Sequence, residues 1–294
     1  MQIEFNGTKF QAIVNGKVVA ESTNKQYLKT KVAKMAPTSS VNASVEREES
    51  TATKFPINQR FDFVRRLVSM VGRGKTASAI ITGEGGLGKT HNVVKALIDA
   101  GLVDITGIDL DGQEAPKGSF TVIKGYSTPK GLFRILYENR NNIVIFDDCD
   151  SVLRDDDAVN LLKGALDSYD RRTITWNSMR ADEELPRSFE FNGGVVFISN
   201  RPMTKIDQAL RTRSMCVDLS MTLDQKLDRM EVIMQEDDFL PEVPLQYKKE
   251  AIGLIRKLKD EAREVSLRTL ITVARIRAEN DQDWQELATY SVVA

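Results

Sequence analysis

Gly83-Glu84-Gly85-Gly86-Leu87-Gly88-Lys89-Thr90 fits the spacing G-x-x-x-x-G-K-[ST], whose residue types suit a polyphosphate. Glycines let successive backbone N–H groups converge on phosphate oxygens, and a helix opening at the end of the loop adds the positive end of its dipole. Lys89 supplies a cation for the β- and γ-phosphates, and Thr90 a hydroxyl for Mg²⁺. A second constellation is Asn142-Ile143-Val144-Ile145-Phe146-Asp147-Asp148, an apolar run that closes on two carboxylates. At the C-terminal end of a buried strand, Asp147 is placed to hold Mg²⁺ through water and Asp148 to polarise an attacking water. The plain alternative is a buried strand leading into an acidic loop, since Asp150, Asp155, Asp156 and Asp157 follow. The two motifs together predict binding of ATP with Mg²⁺, with Thr90 and Asp147 as the metal ligands.

These side chains need a scaffold, and the flanking pattern predicts one. Ser78–Thr82 reads as a buried strand before the loop, and Val93, Val94, Leu97 and Ile98 mark one face of the helix after it. Upstream, a helix near Asn58–Val71 carries Phe61, Val64, Leu67, Val68 and Val71 and stops at Gly72 and Gly74. Downstream come a strand at Phe120–Lys124, a helix near Lys130–Asn139, the acidic strand at Ile143–Phe146 and a helix near Asp156–Tyr169. Two further strands follow at Val195–Ser199 and Met215–Leu219. Strands alternating with helices predict an α/β fold, a parallel sheet with helices on both faces. Thr173–Trp176 and Ser188–Phe191 suggest an inserted β-hairpin, and from Thr222 onward the pattern is wholly helical, a small lid. Asp155–Asp157 reads as a helix N-terminus that complements the dipole.

The N-terminal stretch has its own pattern. Asn6-Gly7 and Asn15-Gly16 are hairpin-turn dipeptides that divide Gln2–Phe5, Thr8–Val14 and Lys17–Glu21 into a three-stranded meander. A helix near Thr23–Met35 follows, with Lys25, Lys29, Lys31 and Lys34 over much of its surface. The predicted organisation is a βββα module over 1–35, a flexible linker over 36–54, an α/β core over 55–220 and a helical lid over 221–294.

The chain has 294 residues, 41% hydrophobic and 28% charged, with a net charge of −1, so any contact with a polyanion must be a local patch. The sequence predicts no membrane span and no secretion signal, and a cytoplasmic location. Cys149 and Cys216 are too few for a disulfide framework and both fall in apolar, strand-like stretches that predict burial. The set for serine-protease chemistry and metal spacings of Cys and His are absent from the sequence.

From Phe55 to Tyr290 the chain resembles the AAA+ ATPases. That family places a polar sensor at the tip of the core strand after the acidic one, and Val195-Val196-Phe197-Ile198-Ser199-Asn200 puts Asn200 there. It then places an arginine finger that reaches into a neighbouring subunit. Ile206-Asp207-Gln208-Ala209-Leu210-Arg211-Thr212-Arg213-Ser214 matches that segment, with Arg213 the better aligned and Arg211 its competitor. A second sensor arginine opens a lid helix, and Val265-Ser266-Leu267-Arg268 offers Arg268 behind Ser266 as N-cap. Guanidinium donors suit charge that develops on a transferred phosphoryl group. A finger in trans implies a ring or spiral, hexameric in expectation. Most of the family carry Asp-Glu where this chain has Asp147-Asp148; replication-initiator-like members resemble the Asp-Asp form, so the resemblance still implies hydrolysis, at a rate that the shorter Asp148 can make slow.

The client is expected to be DNA, or alternatively a protein; the lysine-rich N-terminal module, with Lys9 and Lys17 beside its strands, offers a surface for phosphate but reads slightly better as a docking module for protein. A slow nucleotide-dependent switch is the third reading. Lys124-Gly125-Tyr126-Ser127 occupies the region where translocases of the family place a pore loop, and Trp176, Arg180 and Arg187 lie in the hairpin insertion. Trp176 is expected to pack rather than stack on a base. His91, the one histidine, is expected to have a surface or packing role.

Overall fold

Side chains alternate across a strand, so a strand buried at every position must be covered on both faces. Ser78–Thr82, Ile143–Asp147 and Gly194–Ser199 are such strands, buried at every position. The computed structural model describes residues 2–5, 8–14, 17–23, 54–177, 185–279 and 282–294. Contacts divide the chain into Met1–Lys54 and Phe55–Ala294.

In the first unit, β1 (Gln2–Phe5), β2 (Phe10–Val14) and β3 (Lys17–Ser22) form an antiparallel sheet in the order β1-β2-β3. A register shift at Ala12/Ile13 marks the β2–β3 pairing. The turn dipeptides, the helix expected near Thr23–Met35 and the linker up to residue 53 lie outside the described residues, apart from Thr23 itself.

The second unit begins with α1 (Ile57–Gly72), which leads to β4 (Ser78–Thr82) and α2 (Lys89–Asp99). β5 (Val103–Asp104), β6 (Ser119–Lys124), α3 (Pro129–Glu138), β7 (Ile143–Asp147) and α4 (Asp156–Ala165) follow. The short hairpin β8 (Thr173–Thr175) and β9 (Ser188–Glu190) precedes β10 (Gly194–Ser199), α5 (Gln208–Thr212) and β11 (Met215–Asp218). The chain ends in α6 (Leu223–Ile233), α7 (Leu245–Lys257), α8 (Leu267–Glu279) and α9 (Trp284–Val293).

Six strands make one parallel sheet in the order β11-β4-β10-β7-β6-β5. Ile80, Val144, Phe146, Val195 and Phe197 face α3, α4 and the hairpin, while Ala79, Ile81, Ile145, Val196 and Ile198 face α1 and α2. Phe146 and Phe197 are register partners whose rings stack 5.7 Å apart. Because every strand of this sheet runs the same way, the C-terminal tips of β4, β7 and β10 emerge on one edge, where an open α/β sheet binds ligands. Trp176 packs against Phe133, as expected.

The four C-terminal helices enclose a third core around Leu227, Met230, Ile252, Leu270 and Val273. Thr222 and Gln225 start α6 with a reciprocal capping box. Two buried arginines bind this bundle to α1 and to the end of β11. Arg60 donates to Asp218 O (3.0 Å), Ser220 O (2.8 Å) and Gln225 Oε1 (3.3 Å). Arg229 stacks over Phe61 at 4.1 Å and donates to Asn58 Oδ1 at 3.1 Å.

Four expectations are corrected. Ile98 is 53% exposed, because α2 packs through Val93, Ala96 and Leu97 instead. The helix after the acidic strand stops at Ala165, leaving Tyr169 in solvent. Cys216 is exposed because β11 is an edge strand, and Cys149, though buried, lies just beyond β7 rather than within it. The sheet also gains β5, too short to leave a periodic signal. Among the described residues, no helix is long and apolar enough to cross a membrane.

Candidate functional site

The loop between β4 and α2 is shaped by its glycines. Gly86 has φ +72° and a Cβ there would sit 3.0 Å from Ser266 Cβ; Gly88 has φ +83° and caps α2. L side chains rarely adopt such backbone, so both positions call for glycine. Lys89 is 6% exposed and donates to Gly83 O (2.7 Å), Glu84 O (2.6 Å) and Asn200 Oδ1 (2.8 Å). Burial lowers its pKa, opposed chiefly by the charges of Asp148, Asp147 and Glu84, with a smaller downward push from Arg268. A shielded cation ringed by carbonyls and carboxylates is costly to hold without counter-charge, and it is well placed to take an anionic ligand.

Thr90 Oγ1 donates to Asp147, 3.0 Å from each carboxylate oxygen. The contact joins the start of α2 to the tip of β7 across the intervening β10. A hydroxyl beside a buried carboxylate is the hard-oxygen donor set that Mg²⁺ favours. Lys124 closes β6 as the register partner of Asp147, with Nζ 3.5 Å from Oδ2.

Asp148 lies just past β7 with φ +52°, a left-handed conformation that Asp tolerates better than most residues. Its backbone N–H donates to Ile198 O at 3.0 Å, which ties the turn to β10. Its carboxyl is held above the usual range, first by partial shielding from water and then by Asp147. Lys89 and a hydrogen bond from Asn200 oppose the shift, and Asp150 adds to it. Asn200 thus touches both the loop lysine and the second carboxylate.

The bundle reaches the loop directly. Leu267 N, at the first residue of α8, donates to Gly86 O at 2.8 Å, and Lys226 of α6 pairs with Glu84. Arg268 follows Leu267, close enough for its charge to act on Lys89. Ser266 Oγ is 3.5 Å from Thr269 N, the contact expected of an N-cap at its outer limit. Between α2 and the bundle lies a cavity of about 220 Å³, lined by Gly88, Asn92, Ile233, Leu267 and Ile271 among others.

Gly83 through Thr90, Asp147, Asp148, Asn200 and Arg268 therefore come together. Arg213 does not join them. Its carbonyl accepts from Ser78 Oγ at 3.1 Å, at the N-terminal start of β4, whereas the loop leaves the other end. Five residues of strand separate those ends by about 13 Å. Arg211 lies on the short helix α5, of which Arg213 is the C-cap. His91 sits on the surface of α2, 3.8 Å from Asp238. Tyr126 is 80% exposed beyond Gly125, and Arg187 is exposed, while Arg180 lies outside the described residues. Sequence reasoning missed the pairing of Lys124 with Asp147 and the hold of Leu267 on Gly86. The first depends on strand register and the second on a contact between distant segments.

Over 261 residues the chain is 30% identical to the "Uncharacterized 36.7 kDa protein in nrdC-mobD intergenic region" of Enterobacteria phage T4. The match takes in 83% of this chain and 76% of that protein. No protein-family model matches the sequence. The chain belongs to the same family as the phage T4 protein.

Proposed function

We propose that this relative of the phage T4 protein is an Mg²⁺-dependent AAA+ ATPase, a motor or assembly factor acting on DNA. The observation that carries the reading is the contact of Thr90 with Asp147, made while Lys89 binds Asn200. Loop, acidic strand and sensor strand, far apart in the chain, meet at one point with the donors a metal–triphosphate requires.

In this reading Lys89 and the loop N–H groups hold the phosphates, and Thr90 and Asp147 hold Mg²⁺, which neutralises charge on the β- and γ-phosphates. Asp148 accepts a proton from water, and Asn200 fixes the carboxylate's orientation. The C-terminal bundle acts as the lid, its cavity beside Gly88 takes the base, and Arg268 faces the phosphates. Arg213, held away from its own loop, serves a neighbour's site, which makes the working form a ring or spiral, hexameric in expectation. The antiparallel strands at the N-terminus supply a docking surface.

A second reading, a protein-remodelling ATPase, is favoured by one observation: Tyr126, the residue after a left-handed Gly125, is largely in solvent and free to grip a polypeptide. The ATPase claim common to both is tested by steady-state ATP hydrolysis. A rate that a chelator of divalent cations abolishes and Mg²⁺ restores is expected; a rate indifferent to the chelator contradicts the proposed metal ligands.

A further inference from the structure

Outside the residues assigned to the nucleotide site, a polar groove of about 520 Å³ opens where the start of α4 faces the segment that follows β10. Arg154, Lys163, Arg201 and Lys205 line it against only two carboxylates, Asp156 and Asp207. Asp207 is engaged in capping α5, 2.8 Å from Ala209 N. Arg154 and Arg201 share Asp150 at 3.4 and 3.8 Å. Lys163 reaches only the neutral Asn160 Oδ1 at 3.4 Å, and among the described residues neither Lys163 nor Lys205 has a carboxylate within ion-pair distance.

We propose that this groove binds the phosphodiester backbone of nucleic acid, with Lys163 and Lys205 as phosphate ligands. A chain with a net charge of −1 binds a polyanion only where cations are gathered locally, and here they are. The lining offers no aromatic surface for bases to stack on, and its apolar members, Leu153 and Val159, are buried. Recognition is therefore of phosphate rather than base. The same lack of an apolar anchor disfavours a folded protein partner, whose hot spots are aromatic or aliphatic.

The groove also has a route to the site. Arg201 N donates to Ser199 Oγ at 3.1 Å, and Ser199 Oγ donates to Asp150 Oδ1 at 2.9 Å. Asn200, between those two residues, contacts Lys89. A phosphate that competes with Asp150 for Arg201 bears on the segment that positions Asn200. This coupling rests on the ATPase reading, whereas binding in the groove does not.

The test is fluorescence anisotropy of the full chain, without nucleotide, against a labelled oligothymidine of roughly 20 nucleotides over a range of salt. The double variant K163E/K205E is expected to lose at least about tenfold in affinity, with a salt dependence shallower by about 1.4 in log–log slope. K163Q/K205Q, a milder change that guards against misfolding, loses affinity in the same direction. Unchanged affinity and slope in both variants would overturn the proposal. Equal displacement of the oligonucleotide by poly-glutamate would overturn it too, in favour of an acidic polypeptide. In parallel, the variants keep the basal ATPase rate and lose its stimulation by the oligonucleotide. Stimulation that survives the loss of binding would break the coupling. A wild-type chain without any hydrolysis removes the ATPase reading and leaves the anisotropy to decide the groove.

Discussion

Asp148→Asn is expected to bind ATP and to turn it over on the order of 10² to 10⁴-fold more slowly than the wild type, the range lost with a general base. Asn keeps the shape of the side chain and can still meet Asn200, so the fold and the phosphate cradle are undisturbed. What it lacks is the basicity of a carboxylate oxygen, which takes the proton. The pH profile supplies a second signature. The base works only when deprotonated, and partial shielding together with Asp147 holds the Asp148 carboxyl above the usual value of 3.8. The rate therefore rises with pH through that raised pKa, and the acid limb lies higher than for an ordinary carboxylate. Single-turnover hydrolysis across pH, with ATP binding measured separately, reads both effects. Undiminished turnover in Asp148→Asn would assign activation of water to another residue.

Arg213→Ala is expected to cost about 10³ to 10⁵-fold in turnover, the contribution of an arginine finger. The structure gives this loss a particular form. Arg213 sits at the opposite end of β4 from the loop, so it cannot act on the phosphates of its own chain. Subunits of Arg213→Ala mixed with subunits of Lys89→Ala should then regain activity, since one keeps an intact cradle and the other an intact finger. Co-assembly is checked by mass photometry of the mixture. Mixtures that co-assemble and stay inactive would place the finger elsewhere, with Arg211 the next residue to change.

Much of this site could be read from the residues because its chemistry is local. Glycines at fixed offsets before Lys89-Thr90, and two carboxylates after an apolar run, each need only a short stretch of chain to be recognised. Asn200 carries no such local mark and rests on the resemblance to the AAA+ ATPases, which place a polar residue at the tip of that strand. Buried at every position, β4, β7 and β10 announce a parallel sheet through their apolar runs. Edge strands carry no such mark, and so Cys216 on β11 was expected inside and β5 was not expected at all. Lys124 beside Asp147 follows from the pairing of β6 with β7, a register that neither strand encodes alone. The grip of Arg60 and Arg229 on the bundle is a further product of tertiary packing, where a buried guanidinium spans elements distant in sequence.

The measurement that bears most directly on the account is calorimetric titration of Mg²⁺-ATP into the full chain and into Lys89→Ala. Lys89 places its ammonium in reach of Gly83, Glu84 and Asn200, and its loss is expected to remove the charge-assisted contacts proposed to the phosphates. The predicted result is saturable binding to the wild type that depends on Mg²⁺, and no measurable binding to a folded Lys89→Ala. Equal affinity in the two proteins would contradict the assignment of Gly83–Thr90 as the nucleotide site.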